Sequence, residues 1–421
     1  MRRPSHTHRT QTIHSTIPRL LLVINLLILA LSVLPSAIRL RLLLLAQLLF
    51  PTVPPAPTTT MSTTSTPPYS TELRTALLAV QRAVRLTRAV YIATAKGTSI
   101  KSDVSPVTIG DFGAQALIIA ALKHRFPADE IVAEEEASEL RVNSKLRNEV
   151  WQYVSQTRLD DEGTEQELGG PIASAEEMMD AIDRGKSPGG AKGRIWTIDP
   201  IDGTKGFLRG GQYAVCLALM VDGYVKVGVL GCPNLPVDDR ERVNANTGHD
   251  QKGDQKGKGV LFAAVEGQGA SSRQLTEGGI AEGHQIRMRD VKDITQASFC
   301  ESVEAAHSNQ REHAEISRRL GIKNEPVRMD SQAKYASIAR GAGDIYLRLP
   351  VSRDYKEKIW DHASGYLIVR ESGGEVTDSE GKRLDFSFGR TLIQNKGMVA
   401  ASKSMHSRVL EVVKEVLAEK A

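Results

Sequence analysis

At 421 residues the chain is too long for one ordinary core and is expected to hold about two domains plus extensions. Its composition, 41% apolar and 25% charged, is that of a globular protein; three scattered cysteines (Cys216, Cys232, Cys300) with no Cys-x-x-Cys pair exclude a disulfide framework, argue against zinc and fit a reducing compartment. The net charge of +4 hides a split: residues 1–60 hold six arginines and no acid, the remainder carries −2, and the charge gives no reason to expect a nucleic-acid polymer as partner.

Residues 1–60 are a sequence of a different kind. Leu20–Leu34 is an apolar run broken only by Asn25 and Ser32; Pro35, Arg39 and Arg41 interrupt it before Leu42–Phe50 resumes. Against the roughly 20 residues of a bilayer span, the first run is short for an anchor. The Arg-rich, acid-free character also suits an organelle transit peptide. A third reading makes Met61 the working start and the preceding residues an upstream extension. A cytoplasmic body follows from the third reading, a mitochondrial or membrane-anchored one from the others. A Pro/Thr linker, 51–68, that cannot pack a core leads into the body.

The body opens with a helix capped by Ser70 or Thr71, along which Leu73, Leu77, Leu78, Val80, Val84, Leu86 and Val90 form a broad apolar stripe. SPVTIG (105–110) reads as a short strand-like entry to a helix starting near Asp111. EIVAEEE (130–136) reads as a strand ending in acids, and GRIWTIDPIDGT (193–204) as a strand followed by a turn. YAVCLALMVDGYVKVGVLGCP (213–233) is a hairpin folded at Asp222-Gly223. Two polar stretches, about 159–192 and 238–259, read as insertions, the second as a mobile loop. From Val260 strands alternate with helices, the last helix stopping at Gly373-Gly374.

A few acids stand where apolar segments stop: Asp111, Glu134 to Glu136, Asp199, Asp202 and Asp361. Carboxylates at strand ends from separate parts of a chain can converge in a cleft, where their mutual repulsion is severe without a counter-ion. A hard divalent cation resolves that, and oxygen-only ligands point to magnesium rather than zinc. In Asp199-Pro-Ile-Asp202, Pro200 biases Asp199 to an extended conformation, and a tight bend would aim both carboxylates and the Ile201 carbonyl to one side. Gly203 would let the backbone approach an anion, and Thr204 offers a hydroxyl. Taken alone, Asp-x-x-Asp reads equally as a turn former, and Asp361 as a helix N-cap.

The two segments WTIDPIDGT (196–204) and IWDHASGYLIVRESGGEVTD (359–378) resemble the two signatures of the lithium-sensitive, magnesium-dependent phosphomonoesterases, the inositol monophosphatase superfamily. They stand in the right order, about 160 residues apart. IVAEEE resembles the Gly-Glu-Glu strand end of that family, with Ala133 in the glycine position. SPVTIGDFGAQALI, DSQAKY and IYLRLP followed by YKEKIWDHASG resemble its fungal bisphosphate nucleotidase branch, and the resemblance runs from about Thr71 to the C-terminus.

The resemblance implies an α/β fold of layered αβαβα type, with an α+β N-terminal lobe over 61–230, an α/β nucleotide-binding lobe over 231–421 and the active site between them. It implies hydrolysis of the 3′-phosphate of adenosine 3′,5′-bisphosphate to AMP, and of its sulfated form, in sulfate assimilation and salt tolerance. Inositol polyphosphate 1-phosphatase or inositol monophosphatase activity is the alternative. Two or three magnesium ions would be held by Glu134, Asp199, the Ile201 carbonyl, Asp202 and Asp361. Asp111 and Thr204 would orient and deprotonate the attacking water, without a covalent intermediate. Substrate contacts would come from Thr204, His307, Ser331, Lys334, Arg348 and Asp361; on residue type alone, His307 reads equally as a helix cap, and Lys334 and Arg348 as solvated charges. The expected partner is a small nucleotide, the expected state a monomer, and no membrane is expected for the catalytic body.

Overall fold

The computed structural model describes residues 67–95, 105–238, 257–303, 310–349 and 355–419. The segment 1–60, the expected mobile loop except its ends, and His307 lie outside the described residues.

Two long helices come first, α1 (Ser70–Ala95) and α2 (Pro106–Arg125). The strand-like entry expected at SPVTIG is instead the first turn of α2. Pro106 sits at its first position, where a missing N–H costs nothing and the fixed φ suits a helix, and this outweighs the β-branched Val107, Thr108 and Ile109. Strand β1 (Glu130–Ala133) leads to α3 (Ser138–Val142) and α4 (Ser144–Gln156). The polar stretch 159–192 is a folded part of the body. It forms α5 (Glu162–Glu167) and α6 (Ala175–Asp183), capped by Asp161 and Ser174, and its Glu165 meets the fully buried Arg82 of α1 at 2.7 Å.

Strand β2 (Arg194–Asp202) is followed by one short helix, α7 (Thr204–Arg209), and then by β3 (Ala214–Val221) and β4 (Tyr224–Pro236). The latter two make the expected hairpin, with Asp222 and Gly223 both at positive φ, 50° and 77°, as a two-residue turn between right-twisted strands requires. Strands β5 (Lys258–Val265), β6 (Gly269–Gln274) and β7 (His284–Ile286) complete a seven-stranded sheet in sequential order, in which only the β1–β2 pair is parallel. The lobe boundary expected between residues 230 and 231 falls inside β4. The sheet is extended by the strands after it, because hairpin pairing carries the chain directly from β4 to β7.

A second sheet holds β8 (Phe299–Glu301), β9 (Val327–Arg328), β10 (Ile345–Arg348), β11 (Gly374–Thr377) and β12 (Met398–Ser402), in the order β11-β12-β10-β8-β9. Helices α8 (Gln310–Leu320), α9 (Ala333–Ala339), α10 (Ala363–Glu371) and α11 (Lys403–Ala418) complete the chain. Alternating side chains sort the layers. On β2, Trp196 and Ile198 face Leu77, Val80 and Ile118 of α1 and α2. From the opposite face, Cys216 and Leu230 join Tyr335 and Leu367 of α9 and α10, where Cys300 and Tyr346 of the second sheet also pack. That sheet's far face, Phe299, Ile345 and Val399, packs on Ile316 and Val409 of α8 and α11. The stack is therefore helix, sheet, helix, sheet, helix, as expected. All three cysteines are buried and free.

Candidate active site

Strand β1 stops at Ala133, opposite Ile198, and the next residue on each side is acidic: Glu134 and Asp199. Beyond that point β2 has only β3 beside it. Asp199 lies opposite Cys216 and Asp202 opposite Ala214, so three steps on β2 match two on β3. In a regular strand, residues three apart point to opposite faces; this bulge brings Asp199 and Asp202 to one face. A proline is tolerated inside this strand because the ring nitrogen of Pro200 faces the side where β1 has ended, so no ladder bond is lost. Ile201 turns its side chain into the core with Ile109, Phe112 and Phe207, which leaves its main chain at the cleft.

Gly203 then turns the chain at φ 91°, and a Cβ there would lie 2.9 Å from the Cβ of Ser331. Glycine serves this close approach of two chain segments and the left-handed turn. Ser331 is itself at φ 69°, unusual for a residue with a Cβ.

A cleft of about 350 Å³ opens here. Glu134, Asp199, Asp202, Asp361 and Thr204 line its acidic side; Ser331, Lys334 and Arg348 line the rest. Asp361 closes a 3-10 turn, Ile359–Asp361, and the N-cap of α10 is His362; the N-cap reading of Asp361 is thereby set aside. Asp111, on α2, is buried and is not among the residues lining the cleft. Among the described residues no hydrogen bond joins it to Thr204.

The electrostatics are those of crowded acids. Asp199 is 3% exposed, and burial, then Glu134, Asp202, Asp361 and Asp111, push its carboxyl well above the usual range. Burial and the Asp202 charge do the same to Asp361. For Asp111 the causes are burial, Glu135 and Glu134. Glu134 is pushed up to about 7 by burial and Glu135, a shift moderated by water because part of its side chain is exposed. Oδ1 of Asp199 is buried with no hydrogen-bond partner. An orphaned carboxylate oxygen among mutually repelling carboxylates fits a hard divalent cation with oxygen ligands.

The opposite wall is cationic. Lys334 is 3% exposed; burial lowers its ammonium to about 8, against the opposing pull of Asp202. Its Nζ lies 5.3 Å from the ring centroid of Tyr346. Arg348 donates from Nε to Glu357 at 2.8 Å, and Nε2 of His362 lies 3.3 Å from the same carboxylate. Burial alone would raise Glu357, but bonds from His362 and the charge of Arg348 outweigh it and hold it at about 2. Glu357, Asp361 and His362 bring ligand atoms within 4.8 Å of one another, but Glu357 is already committed to Arg348, so this trio orients side chains rather than caging an ion.

At the start of the helix after Ser331 the first backbone donors are already taken within the protein. The amide of Gln332 donates to Asp202, that of Ala333 to Ser331 Oγ and that of Lys334 to the Ser331 carbonyl. Sequence reasoning missed three supporting groups. Glu357 is one. Gln332 is another: its Nε2 donates to the Trp360 carbonyl at 2.8 Å and its Oε1 accepts from Gly365 N at 2.9 Å. The third is Asp330, which pairs with Arg209 of α7. Each is an ordinary polar residue in the sequence, and only the fold supplies its partner.

The model of the family described as the inositol monophosphatase family matches residues 70–418. The chain belongs to the inositol monophosphatase family. Among its relatives in this family, the 3′(2′),5′-bisphosphate nucleotidase of Emericella nidulans is 60% identical over 349 residues, covering 83% of this chain and 99% of the relative. The enzyme of that name from Schizosaccharomyces pombe is 47% identical over 353 residues, covering 83% of this chain and 96% of the relative. Of solved inositol monophosphatase family structures, CysQ from Bacteroides thetaiotaomicron superposes with a TM-score of 0.50 at 19% identity, over 80% of this chain and 98% of that one, a likeness of fold.

Proposed function

We propose that the chain is a phosphomonoesterase that releases the 3′-phosphate of adenosine 3′,5′-bisphosphate, giving AMP and phosphate, and removes the same phosphate from the sulfated nucleotide. The observation that carries this reading is the identity to the Emericella nidulans nucleotidase along nearly its whole length. The cleft agrees with it: an acidic wall suited to cations faces a cationic wall suited to a second phosphate.

Glu134, Asp199, Asp202, Asp361 and the Ile201 main chain are the groups that would hold magnesium, two or three ions in our reading. Magnesium supplies Lewis acidity toward the phosphate and toward water. Thr204, on the cleft wall beside Asp202, orients the attacking water in line with the 3′ oxygen. Asp111, when ionised, receives the proton through the Thr204 hydroxyl once the two side chains close on substrate; burial and the neighbouring Glu135 and Glu134 strengthen its hold on a proton. The P–O3′ bond breaks as the water oxygen bonds to phosphorus, the 3′ oxygen leaves as a hydroxyl of AMP by taking a proton from solvent, and no side chain is phosphorylated. Ser331, Lys334 and Arg348 bind the remaining phosphate, with His307 beside the nucleotide. Asp361 and Thr204 also touch substrate.

The reading extends to a cytoplasmic monomer serving sulfate assimilation and salt tolerance. Among the described residues no helix is long and apolar enough to cross a membrane.

Phosphate release from adenosine 3′,5′-bisphosphate is to be compared with release from inositol phosphates in magnesium, with and without lithium. The nucleotide is expected to react faster by orders of magnitude and lithium to inhibit. Faster release from an inositol phosphate would overturn the nucleotide assignment, and a trapped phosphoenzyme would overturn direct attack.

A further inference from the structure

Glu134 and Asp361 reach the cleft from different layers, one from the end of β1 in the large sheet, the other from the 3-10 turn before α10. One side chain in the loop between β11 and β12 touches the supports of both. Arg390 donates from Nη2 to the carbonyl of Ala133 at 2.5 Å, the residue before Glu134. Its Nη1 donates to the carbonyls of Ser187 at 3.1 Å and Gly185 at 3.3 Å. That turn is itself tied to β1, since Ala133 N donates to the Gly185 carbonyl and Ser187 N to the Ile131 carbonyl. On the other side, the guanidinium carbon lies 4.8 Å from the ring centroid of Trp360, the residue before Asp361. The Arg390 carbonyl accepts from Ile359 N at 3.2 Å, at the start of the same turn.

We infer that Arg390 is a positioning residue that sets the distance between Glu134 and Asp361 and thereby the affinity of the carboxylate cluster for magnesium. This rests on the magnesium reading of the cleft. Three gathered carbonyls and an aromatic face need a planar fork of donors, which arginine offers and a lysine ammonium does not. The guanidinium also places positive charge near Glu134 and Glu136, which favours it against the cost of its burial. Arg390 does not line the cleft, so it acts only through the residues that do.

The test is magnesium binding measured by isothermal titration calorimetry on the purified full chain, without substrate, beside the magnesium dependence of phosphate release. For Arg390→Lys the magnesium Kd is expected to rise about 10-fold or more, in the range for lost outer-shell support of metal ligands. The substrate KM at saturating magnesium should stay within about 2-fold. A gentler variant, Trp360→Phe, keeps a ring under the guanidinium and should give a smaller shift in the same direction. A lowered Tm with unchanged magnesium Kd in both variants would make Arg390 merely structural and overturn the inference. A wild-type chain that takes up no magnesium would overturn it by a different route, through the reading of the cleft itself.

Discussion

Gln332 and Asp202 are joined across the cleft: the backbone amide of one donates to Oδ2 of the other at 2.5 Å. The two residues belong to different layers, and the bond ties the bulged end of β2 to the segment that presents Ser331 and Lys334. The Gln332 side chain then carries the connection to the Trp360 carbonyl and to Gly365. Replacing Gln332 by alanine keeps the backbone bond and removes the other two. A stability loss of about 1–3 kcal/mol is expected from buried groups left unpaired, read by urea unfolding. Because the turn that carries Asp361 loses its tie to the segment holding Asp202, kcat should fall more than KM rises; an unchanged kcat would remove Gln332 from the working parts of the cleft.

The crowded acids fix a sign for the pH dependence of stability. Asp111, Asp199 and Asp361 all titrate above their ordinary range in the folded chain, chiefly through burial. The folded state therefore holds protons that the unfolded chain has released. This favours folding most below the ordinary carboxylate value, about 4, and the advantage is lost as pH rises toward the shifted values. In the presence of a chelator, Tm is expected to fall between pH 5 and pH 8, and added magnesium should raise it more at pH 8 than at pH 5. A magnesium effect larger at pH 5 would contradict the clustering of these charges around a cation.

Glu357 offers a separate test of the cationic wall. It holds Arg348 at 2.8 Å and His362 at 3.3 Å, and touches no residue of the acidic wall by hydrogen bond. Glu357→Gln should leave the Arg348 guanidinium free to wander, raising KM for the bisphosphate about 10-fold, near 1.4 kcal/mol, with a smaller change in kcat. Steady-state kinetics at saturating magnesium separate the two; a pure kcat effect would place Glu357 with the reacting groups instead.

Far from the cleft, the Arg82–Glu165 pair tests the packing of the insertion. Arg82 is fully buried and Glu165 5% exposed, and Arg82 also donates to the carbonyls of Gly170 and Leu117. Removing one partner, as in Glu165→Leu, should cost about 3–5 kcal/mol because the other charge is left buried. Arg82→Met combined with Glu165→Leu should recover a large part of that loss. Unfolding curves read both, while catalysis at low temperature should be untouched.

Much of this was legible in the sequence, for a common reason: the informative features are local. The hairpin at Asp222-Gly223 and the acids that end β1 and β2 announce themselves within a few residues. Recognition of two long signatures supplied the layer order. The start of α2 was misread because β-branched residues mimic a strand when the proline before them is ignored. The stretch 159–192 looked like a loose insertion because its anchor, Glu165, finds its partner some 83 residues earlier. Gln332 and Arg390 were illegible for the same reason, each acting through groups distant in the chain, while Glu357 sits near Arg348 and His362 in sequence but meets them only through the turn between them.

Pro200 sets one further constraint on the chain. The amide of Asp222 donates to the carbonyl of Gly193, so Ile195, Thr197 and Asp199 of β2 turn their amides toward β3, and the ring nitrogen of Pro200 faces the side that β1 has left. An N–H on that open side would be an unpaired donor at a sheet edge, ready to take up another strand. The proline removes that donor between the two aspartates of β2. Pro200→Ala would restore it, and with it a place for a stray strand to settle beside the cation site.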